Sequence, residues 1–392
     1  MSLLKNKTIL LCVTGSIAAY KAVLLLRRLQ EEGALVKVVL SKGAQAFITP
    51  LTFASLVGKE NVAPDIFDDT YAHLEWAKAD AIVVAPATAN VIASIAHGFA
   101  SDFMTTTILA SRTPLLISPA MNKNMWENFA VQDNVQILQK RRVIIVEPEA
   151  GHLACGEEGK GRLADLEKIV FVLSKALTPQ SWQGKKALVT AGPTEEDIDP
   201  VRVLTNRSSG KMGYALATEL ARRGAEVILI SGPSALKSSF GTKMIFARTA
   251  IEMNKEVQKY FSKCDVFFSA AAVADFYPQE KLKEKISAGK AFNLKLIPNP
   301  DILAACGKIK QVGQILIGFS LTKKEDLKIA RKKLLEKKAD IIIANTFKNI
   351  DSDQAEVILV TAKKSYKISL QKKSIIAEEI INFVEKNNGE KI

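Results

Sequence analysis

Residues 115–126 have the sequence Leu-Leu-Ile-Ser-Pro-Ala-Met-Asn-Lys-Asn-Met-Trp. Its opening part is a short apolar run between Pro114 and Pro119, which is typical of a buried central strand in a parallel sheet. The loop that follows leaves the carboxyl end of that strand, and open α/β sheets bind their ligands at this edge. The stretch therefore predicts an α/β fold with a functional loop at residues 119–126.

The loop at residues 119–126 carries side chains that suit a flat ligand with polar groups. Asn122 and Asn124 offer amide donors and acceptors, whereas Met121, Met125 and Trp126 supply soft apolar surface. A loop that merely packs under a helix is the alternative, and it would be favoured for a single Asn. The whole pattern, Pro-x-Met-Asn-x-x-Met-Trp, resembles the substrate loop of the flavin-dependent cysteine decarboxylases, the family that includes phosphopantothenoylcysteine decarboxylase.

The length and the cysteines limit the class of protein. A chain of 392 residues is long enough for two domains, each with its own core. Cys12, Cys155, Cys264 and Cys306 include no Cys-x-x-Cys pair, so neither a disulfide framework nor a zinc site is predicted. No run approaches the ~18 apolar residues of a membrane span, and no signal-type segment opens the chain. We expect a cytoplasmic protein that makes no contact with membranes.

The net charge of +13 is concentrated in the second half of the chain. Residues 1–180 contain 18 Lys and Arg against 17 Asp and Glu, whereas residues 181–392 contain 36 against 24. No basic stripe interleaved with aromatic residues, of the kind that binds nucleic acid, accompanies this excess. Small phosphorylated ligands and solvated lysines explain the excess better, and no nucleic-acid partner is expected.

Several strand ends in the first half suit a flavin. A buried-type strand at residues 8–13 leads into a glycine turn and a helix, whose first backbone amides can cradle a phosphate. Another at residues 81–85 leads into Pro-Ala-Thr-Ala-Asn, where small side chains let a flat ring lie against the backbone. The decarboxylase resemblance implies FMN contacts at Gly15, Ser16, Ile17, Ser41, Thr88, Ala89, Asn90 and Ser101.

The same resemblance implies the catalytic residues of a decarboxylase. His73 lies in a His-x-x-Trp segment, where the family has its base, although a lone His is more often structural. Cys155 lies in a glycine-dense stretch at residues 149–162, which predicts a mobile flap and carries the proton donor in the family. Asn122 would hold the departing carboxylate. The implied substrate contacts are Met121 and Met125.

Residues 178–184 break the helical pattern and predict a linker between domains at residues 1–180 and 181–392. In the second half, residues 206–213 have the sequence Asn-Arg-Ser-Ser-Gly-Lys-Met-Gly. Hydroxyls, amides and two cations before a helix start favour a phosphate site. A dinucleotide turn is the alternative, but its Gly-x-Gly-x-x-Gly spacing is missing. The string resembles that of phosphopantothenate–cysteine ligase.

A basic helix predicted at residues 330–340 carries Lys333 and Lys337, which are four residues apart and share a helix face. An anion such as a triphosphate would relieve their repulsion, and a solvated face is the alternative. The ligase resemblance implies that Asn206 acts on an acyl-cytidylate, that Lys281 assists its formation and that Asp275 holds Mg2+. The implied CTP and substrate contacts are Ser269, Ala270, Ala271, Asp275, Lys281, Pro300, Asp301, Ile302, Leu303, Phe319, Lys333 and Lys337.

Together the two resemblances cover nearly the whole chain and predict a bifunctional enzyme of coenzyme A synthesis. They imply a flavodoxin-like or Rossmann-like parallel-sheet domain with FMN, followed by a Rossmann-like ligase domain with Mg2+. The implied substrates are 4'-phosphopantothenate, L-cysteine and CTP, and kinship implies a homo-oligomer of up to a dodecamer. Residues 356–370 and 372–387 are predicted to close the fold without chemistry. The alternatives are a non-catalytic flavin-binding regulatory protein and a basic nucleic-acid binder.

Overall fold

The computed structural model describes residues 4–63, 71–152, 156–237, 240–287, 289, 291–322, 327–346 and 352–387. Its contacts divide the chain into two compact units, Met1–Pro179 and Gln180–Ile392. The boundary expected from the linker, between residues 180 and 181, differs from this division by one residue. Each unit has its own sheet.

The first unit is built on a five-stranded parallel sheet. In spatial order its strands are β2 (Leu35–Leu40), β1 (Thr8–Val13), β3 (Ala81–Ala87), β4 (Leu115–Pro119) and β5 (Ile144–Ile145). A hairpin of β6 (Glu149–His152) and β7 (Glu158–Arg162) follows. The helices are α1 (Ala19–Glu31), α2 (Pro50–Val57), α3 (Ala72–Trp76), α4 (Ala89–His97), α5 (Phe103–Ala110), α6 (Lys123–Glu127), α7 (Phe129–Lys140) and α8 (Leu166–Ala176), with short 3-10 turns at Ala44–Ala46 and Lys59–Asn61.

Alternating side chains of β1 contribute to a core on each face of this sheet. Ile9, Leu11 and Val13 of β1 pack with α1, α2 and α8 on one face. Leu10 and Cys12 pack with α3, α4, α5 and α7 on the other face. All of these β1 side chains are fully buried. The predicted α/β class is therefore confirmed, since both faces of a parallel sheet are covered by helices.

Two segments of the first unit differ from the prediction. The strand expected at residues 142–146 is confined to β5, because Arg142 has a φ of 65° and leaves the extended region. In the glycine-dense stretch, which was predicted to be a loop, residues 149–152 and 158–162 pair as the antiparallel strands of the β6–β7 hairpin. A Cβ at Gly161 would overlap the Met121 carbonyl oxygen. This glycine therefore serves close packing against the loop at residues 119–126.

The second unit is built on an eight-stranded sheet. In spatial order its strands are β12 (Thr242–Phe246), β11 (Glu226–Ser231), β8 (Lys186–Ala191), β13 (Val266–Ser269), β16 (Ile315–Thr322), β17 (Ile341–Thr346), β18 (Gln354–Val360) and β19 (Ser365–Lys372). The last two are antiparallel to their neighbours, and the others are parallel. Small hairpins pair β9 (Glu195–Asp197) with β10 (Val203–Thr205) and β14 (Phe276–Pro278) with β15 (Leu296–Pro298). The helices are α9 (Lys211–Arg222), α10 (Ala250–Phe261), α11 (Ile302–Ile309), α12 (Leu327–Glu336) and α13 (Lys373–Asn387).

A buried ionic network joins the ends of α9 and α13. Glu219 accepts hydrogen bonds from Arg222 and Arg223, each at 2.7 Å, and Arg223 also donates to Glu385 at 2.9 Å. The side chains of Glu219, Arg222 and Arg223 are 5–8% exposed. Charges buried in this way are tolerated only while each one keeps its partners.

We expect Glu219→Gln to destabilise the second unit, because it removes the negative charge that the buried Arg222 and Arg223 guanidinium groups share. Breaking a buried ion pair costs about 3–5 kcal/mol, and urea unfolding of the full chain followed by circular dichroism measures it. Glu226→Gln, which changes an exposed carboxylate on β11, is the matched control and should stay within about 0.5 kcal/mol of the wild type. Equal stability of the two variants would show that the network contributes nothing.

Candidate functional site

In the first unit, the turns after β1 and β3 meet at the carboxyl edge of the sheet. The chain leaves β1 toward β2 on one side and returns to β3 on the other, which opens the crevice where such sheets bind ligands. Thr14, directly after β1, donates its hydroxyl to the Pro86 carbonyl at 2.7 Å and accepts from the Thr88 amide at 3.0 Å. This buried residue was not among the predicted contacts, and its place directly after a buried strand is the signal that marks it.

The predicted phosphate turn lies against the turn after β2. A Cβ at Gly15 would come 2.8 Å from the carbonyl carbon and oxygen of Gly43, so glycine allows the two backbones to touch. The hydroxyls of Ser16 and Ser41 accept hydrogen bonds from backbone amides two and three residues later, at 3.3 and 3.2 Å. The structure therefore brings these two turns together, with Ile17 exposed beside them.

The turn after β3 carries the other predicted flavin residues. Thr88 caps α4 by accepting from the amide three residues later at 3.4 Å, and Ala89 and Asn90 open that helix. Ser101 precedes Asp102, the residue that caps α5. Asn90 and Ser101 are exposed, so their side chains are accessible to a ligand at this edge.

The loop at residues 119–126 is held by the β6–β7 hairpin. The Met121 amide donates to the Gly161 carbonyl at 3.0 Å. Asn122 caps α6 through its Oδ1, which accepts from the Asn124 amide at 2.7 Å, while its Nδ2 donates to Glu157 Oε2 at 3.0 Å. The amide that was predicted to hold a substrate carboxylate thus holds a carboxylate of the chain itself.

The other predicted decarboxylase residues lie on neighbouring elements. His73 is half-buried on α3, whose Trp76 packs edge-on against Phe103 with ring centroids 5.6 Å apart. Trp76 and Met121 contribute to the same apolar core, which places α3 and the loop on one face of the sheet. Met125 is exposed on α6. Cys155 lies outside the described residues, between β6 and β7.

In the second unit, a cavity of about 720 Å³ lies at the carboxyl edge of the parallel strands. Its lining includes Ser269 at the end of β13. The chain leads from β13 and from the neighbouring strand β8 to opposite halves of the sheet, the arrangement at which such sheets bind ligands. Most of the predicted substrate residues line it, namely Asn206, Ser269, Ala270, Ala271, Asp275, Pro300, Asp301, Ile302, Leu303, Phe319 and Lys333.

Asn206 is fixed by the loop that follows β13. Its Nδ2 donates to the carbonyls of Ala272 and of the next residue, at 3.1 and 2.9 Å. The loop is fixed in turn, because the Ala272 amide donates to the Gly192 carbonyl at 2.9 Å and the Ala274 amide donates to Thr194 Oγ1 at 3.0 Å. Connections that leave β8, β10 and β13 therefore converge on one wall of the cavity.

Two glycines of the 206–213 motif bring the start of α9 to this wall. Gly210 has a φ of 78°, and a Cβ there would lie 3.1 Å from the Gly192 nitrogen. A Cβ at Gly213 would lie 2.6 Å from Ala191 Cβ, at the end of β8. The motif therefore combines a left-handed turn with close helix–strand packing, and its serines and cations line the cavity as a result.

Asp301 links the cavity wall to the predicted pair of lysines. Its Oδ1 accepts from the Ala304 amide at 2.8 Å and caps α11, and its Oδ2 pairs with Lys337 Nζ at 2.6 Å. Lys333 Nζ donates to the Phe319 carbonyl at 2.7 Å. Burial lowers the pKa of Lys333, and Asp301 opposes that effect. The Asp301 carboxylate therefore offsets part of the repulsion between Lys333 and Lys337, which was the reason to predict a bound anion.

Lys281 is not among the described residues that line the cavity. Its Nζ pairs with Asp197 Oδ2 at 2.5 Å, and the same carboxylate pairs with Arg248 at 2.7 Å. The Lys281 side chain is 61% exposed. The structure thus does not bring Lys281 to the other ligase residues, and its role stays a prediction.

The cavity wall also contains residues that the sequence did not single out. The most informative one is Lys373, because the segment at residues 372–387 was predicted to lack chemistry. The structure places Lys373 in the cavity wall, because the antiparallel strands β18 and β19 return the chain to the carboxyl edge of the parallel strands. No local pattern signals this return. The other additional residues include Arg207, Ser208, Ser209, Lys211, Asn299, Asn345 and Ala355.

Metal and membrane features are absent from the part of the chain that the structure describes. Within it, no three His, Cys, Asp or Glu side chains are grouped so that they could hold a metal ion. Cys12, Cys264 and Cys306 are buried and unpaired. None of its helices combines the length and the apolar character that crossing a bilayer requires.

Known families match each unit separately. The family described as Flavoprotein matches residues 2–178, and the DNA/pantothenate metabolism flavoprotein C-terminal domain matches residues 182–387. The chain is 37% identical to the coenzyme A biosynthesis bifunctional protein CoaBC of Vibrio cholerae serotype O1, over 98% of this chain and 99% of that protein. It is 42% identical to the protein of the same name from Bacillus subtilis, over 88% of this chain and 87% of that protein.

The chain belongs to the family of coenzyme A biosynthesis bifunctional proteins. The resemblance found in the sequence is thereby confirmed. Among solved structures, the C-terminal domain of a CoaBC protein is 37% identical with a TM-score of 0.47, covering 53% of this chain and 97% of that chain. The flavoprotein part of the bifunctional family corresponds to the unit with the β1–β3 crevice, and its C-terminal part corresponds to the unit with the cavity.

We expect the Asp197 carboxylate to make an acid-sensitive contribution to the stability of the second unit. Hydrogen bonds from Arg248 and then from Lys281 lower its pKa to about 2, below the ~3.9 of an unfolded Asp. A group with a lowered folded pKa stabilises fully above its unfolded pKa and loses that contribution as the pH falls. Asp197→Asn should therefore cost about 1 kcal/mol at pH 6 after solvent screening, and about half of that at pH 3.

Urea unfolding at the two pH values measures this difference. Glu280→Gln, which changes an exposed carboxylate, should leave stability unchanged at both. A cost of Asp197→Asn that is equally large at pH 3 and pH 6 would contradict the assignment of the pKa shift.

Proposed function

We propose that the chain is a bifunctional enzyme of coenzyme A synthesis. The second unit ligates L-cysteine to 4'-phosphopantothenate with CTP, and the first unit decarboxylates the product to 4'-phosphopantetheine and CO2. One observation carries the proposal: each family-matched unit gathers residues implied by the family at the carboxyl edge of its own sheet.

The crevice between the turns after β1 and β3 fits FMN. The close approach of Gly15 to Gly43 leaves a backbone cradle suited to a phosphate, and Ser16, Ser41 and Thr88 would add hydroxyls. Exposed side chains at residues 90 and 101 would bind the polar edge of the ring. FMN, when bound, supplies reversible hydride transfer, because the substrate alone has no electron sink.

The chain's own residues would bind the decarboxylase substrate and move its protons. Met121 and Met125 would pack against it, and Asn122 would hold its carboxylate through Nδ2. His73 would take the proton of the thiol, and Cys155 would return a proton to the product. The β6–β7 hairpin, which is tied to the loop at residues 119–126, would cover the substrate.

The cavity of the second unit fits a nucleotide together with an acyl substrate. Residues 300–303 and Phe319 would surround the base and ribose, and Lys333 and Lys337 would attract the phosphates. Amide formation from a carboxylate needs a leaving group, and transfer of CMP to the acyl group with loss of pyrophosphate provides it. Asn206, held rigidly by two carbonyls, would position that acyl-cytidylate for attack by the cysteine amine.

Mg2+ fits this cavity as an ion that the triphosphate brings with it. Asp275 provides a carboxylate in the wall, and its charge acts on Lys333. Mg2+ commonly binds one or two carboxylates plus substrate phosphates, so a single Asp suffices. The ion would neutralise charge on the departing pyrophosphate.

We infer a cytoplasmic homo-oligomer whose partners are these small molecules. The first unit exposes several large apolar side chains, among them Leu51, Phe99 and Phe129, the last of which is 87% exposed. Contact between subunits would remove such side chains from water. Nucleic acid and membranes have no part in the proposal.

The full chain incubated with 4'-phosphopantothenate, L-cysteine, CTP and Mg2+ should release pyrophosphate and CO2 and form 4'-phosphopantetheine. Two variants separate the activities. Cys155→Ser should lower 4'-phosphopantetheine formation by about 10²- to 10⁴-fold and leave pyrophosphate release intact. Asn206→Asp should lower amide formation by about 10²- to 10³-fold and leave decarboxylation of supplied phosphopantothenoylcysteine intact. A wild-type chain that binds flavin but forms neither product would favour the regulatory alternative.

Glu157 should compete with the substrate carboxylate for Asn122 Nδ2, because its own carboxylate accepts from that amide at 3.0 Å. We expect Glu157→Ala to lower the KM for phosphopantothenoylcysteine by about 2- to 5-fold, in line with an exposed hydrogen bond to a charged group. Glu158→Ala is the matched control, since the Glu158 carboxylate pairs with His152 at 3.0 Å. A raised KM in Glu157→Ala would mean that Glu157 supports the site rather than competing for it.

A further inference from the structure

The antiparallel tail of the second unit brings a lysine to the ligase cavity. Asn345 of β17 pairs with Val357 of β18, and Gln354 of β18 pairs with Lys372 of β19. Strand β18 therefore begins, and β19 ends, at the edge where the parallel strand β17 ends. Lys373, the next residue, lines the cavity there as the first residue of α13.

A second lysine reaches the same place from the 206–213 motif. Lys211 is the first residue of α9 and also lines the cavity. Its Nζ pairs with Asp353 Oδ1 at 2.7 Å, and the Lys373 amide donates to the Asp353 carbonyl at 2.9 Å. Asp353 therefore stands between the starts of two helices that lie far apart in the sequence.

The charges around Asp353 are unequal. The hydrogen bond and charge of Lys211, together with the charges of Lys373 and Lys372, lower the pKa of the Asp353 carboxyl group. Three ammonium groups thus act on one carboxylate, and these four side chains carry a net charge of +2. The Asp353 side chain is 82% exposed, so its ion pair is screened by solvent and easily replaced.

A phosphate group matches this arrangement better than the carboxylate does. It carries up to two negative charges and three acceptor oxygens, whereas a carboxylate carries one charge and two oxygens. Lysine binds phosphate as a point charge, and two lysines beside the hydroxyls of Ser208 and Ser209 on the cavity wall supply both charge and donors.

We propose that Lys211 and Lys373 form a phosphate subsite of the ligase cavity, and that the Asp353 carboxylate occupies it until a substrate phosphate enters. This inference rests on the proposed ligase function. Two substrates can supply the phosphate, because CTP carries a triphosphate and 4'-phosphopantothenate carries a phosphate monoester. Exchange of one anion for the other leaves Lys211 paired throughout.

Calorimetric titration of the full chain with two ligand pairs tests the subsite. One pair is CTP and cytidine, and the other is 4'-phosphopantothenate and pantothenate. The two members of each pair differ only in their phosphates. Loss of a hydrogen bond to a charged group corresponds to about 10- to 100-fold in affinity. We expect Lys373→Ala to weaken the phosphorylated member of one pair by that factor and to leave its unphosphorylated member unchanged. The pair that responds identifies the source of the phosphate.

Three further variants sharpen the test. Lys373→Arg should recover most of the affinity, because the charge is kept. Asp353→Asn should bind the same phosphorylated ligand several-fold more tightly, since the competing carboxylate is gone, whereas a purely structural ion pair predicts no gain. Lys364→Ala changes a lysine in the β18–β19 turn, outside the residues that line the cavity, and should match the wild type.

The outcomes that would overturn the subsite are distinct from failure of the proposed function. The subsite is contradicted if Lys373→Ala binds all ligands as the wild type does, or if it loses the same affinity for phosphorylated and unphosphorylated ligands. In both cases the wild type would still ligate cysteine, so the proposed function would stand. A wild-type chain that binds none of the four ligands contradicts the proposed ligase function, and the subsite with it.

Discussion

Both candidate sites depend on direct contact between the turns that leave neighbouring parallel strands. In the first unit, the Thr14 hydroxyl bridges the turns after β1 and β3, and Gly15 touches Gly43. In the second unit, the Ala272 amide after β13 donates to the Gly192 carbonyl after β8, and the loop after β13 also holds the Asn206 amide. These contacts fix backbone groups without help from a ligand, so each crevice is shaped before its substrate arrives.

Three of the groups that we propose to bind anions share a second property, which is that the chain supplies each of them with a carboxylate of its own. Glu157 accepts from Asn122, Asp353 pairs with Lys211, and Asp301 pairs with Lys337. In the proposed function a substrate anion would exchange with an internal one, and its net affinity would be the difference between the two interactions. Such exchange would keep the donor groups oriented. It would also disfavour the binding of anions that interact less strongly than the internal carboxylate, which suits sites that select multiply charged substrates.

The sequence alone was sufficient to predict those elements and site residues that depend on a local pattern. The strand at residues 8–13 was located because parallel strands buried on both faces are continuous apolar runs. Most ligase contacts were located because their motifs follow strand ends, and these do line one cavity. Lys373 was missed because an antiparallel return, invisible locally, brings it there, and the pairing of Lys281 with Asp197 depends on a contact 84 positions apart. Long-range placement of this kind has no signature in a single stretch of sequence.

The ends of the second unit are held to each other as well. Ser181 Oγ donates to Glu385 Oε1 at 2.6 Å, and Trp182 donates to the same carboxylate. That carboxylate also belongs to the ionic network of α9. The first residues and the last helix of the second unit thus meet at the Glu385 carboxylate. A circularly permuted version of this unit, with these ends joined by a short peptide and new ends in a surface turn, would keep every pair of neighbouring strands. Truncation of the final helix, in contrast, would also remove the hydrogen bonds that hold Ser181 and Trp182.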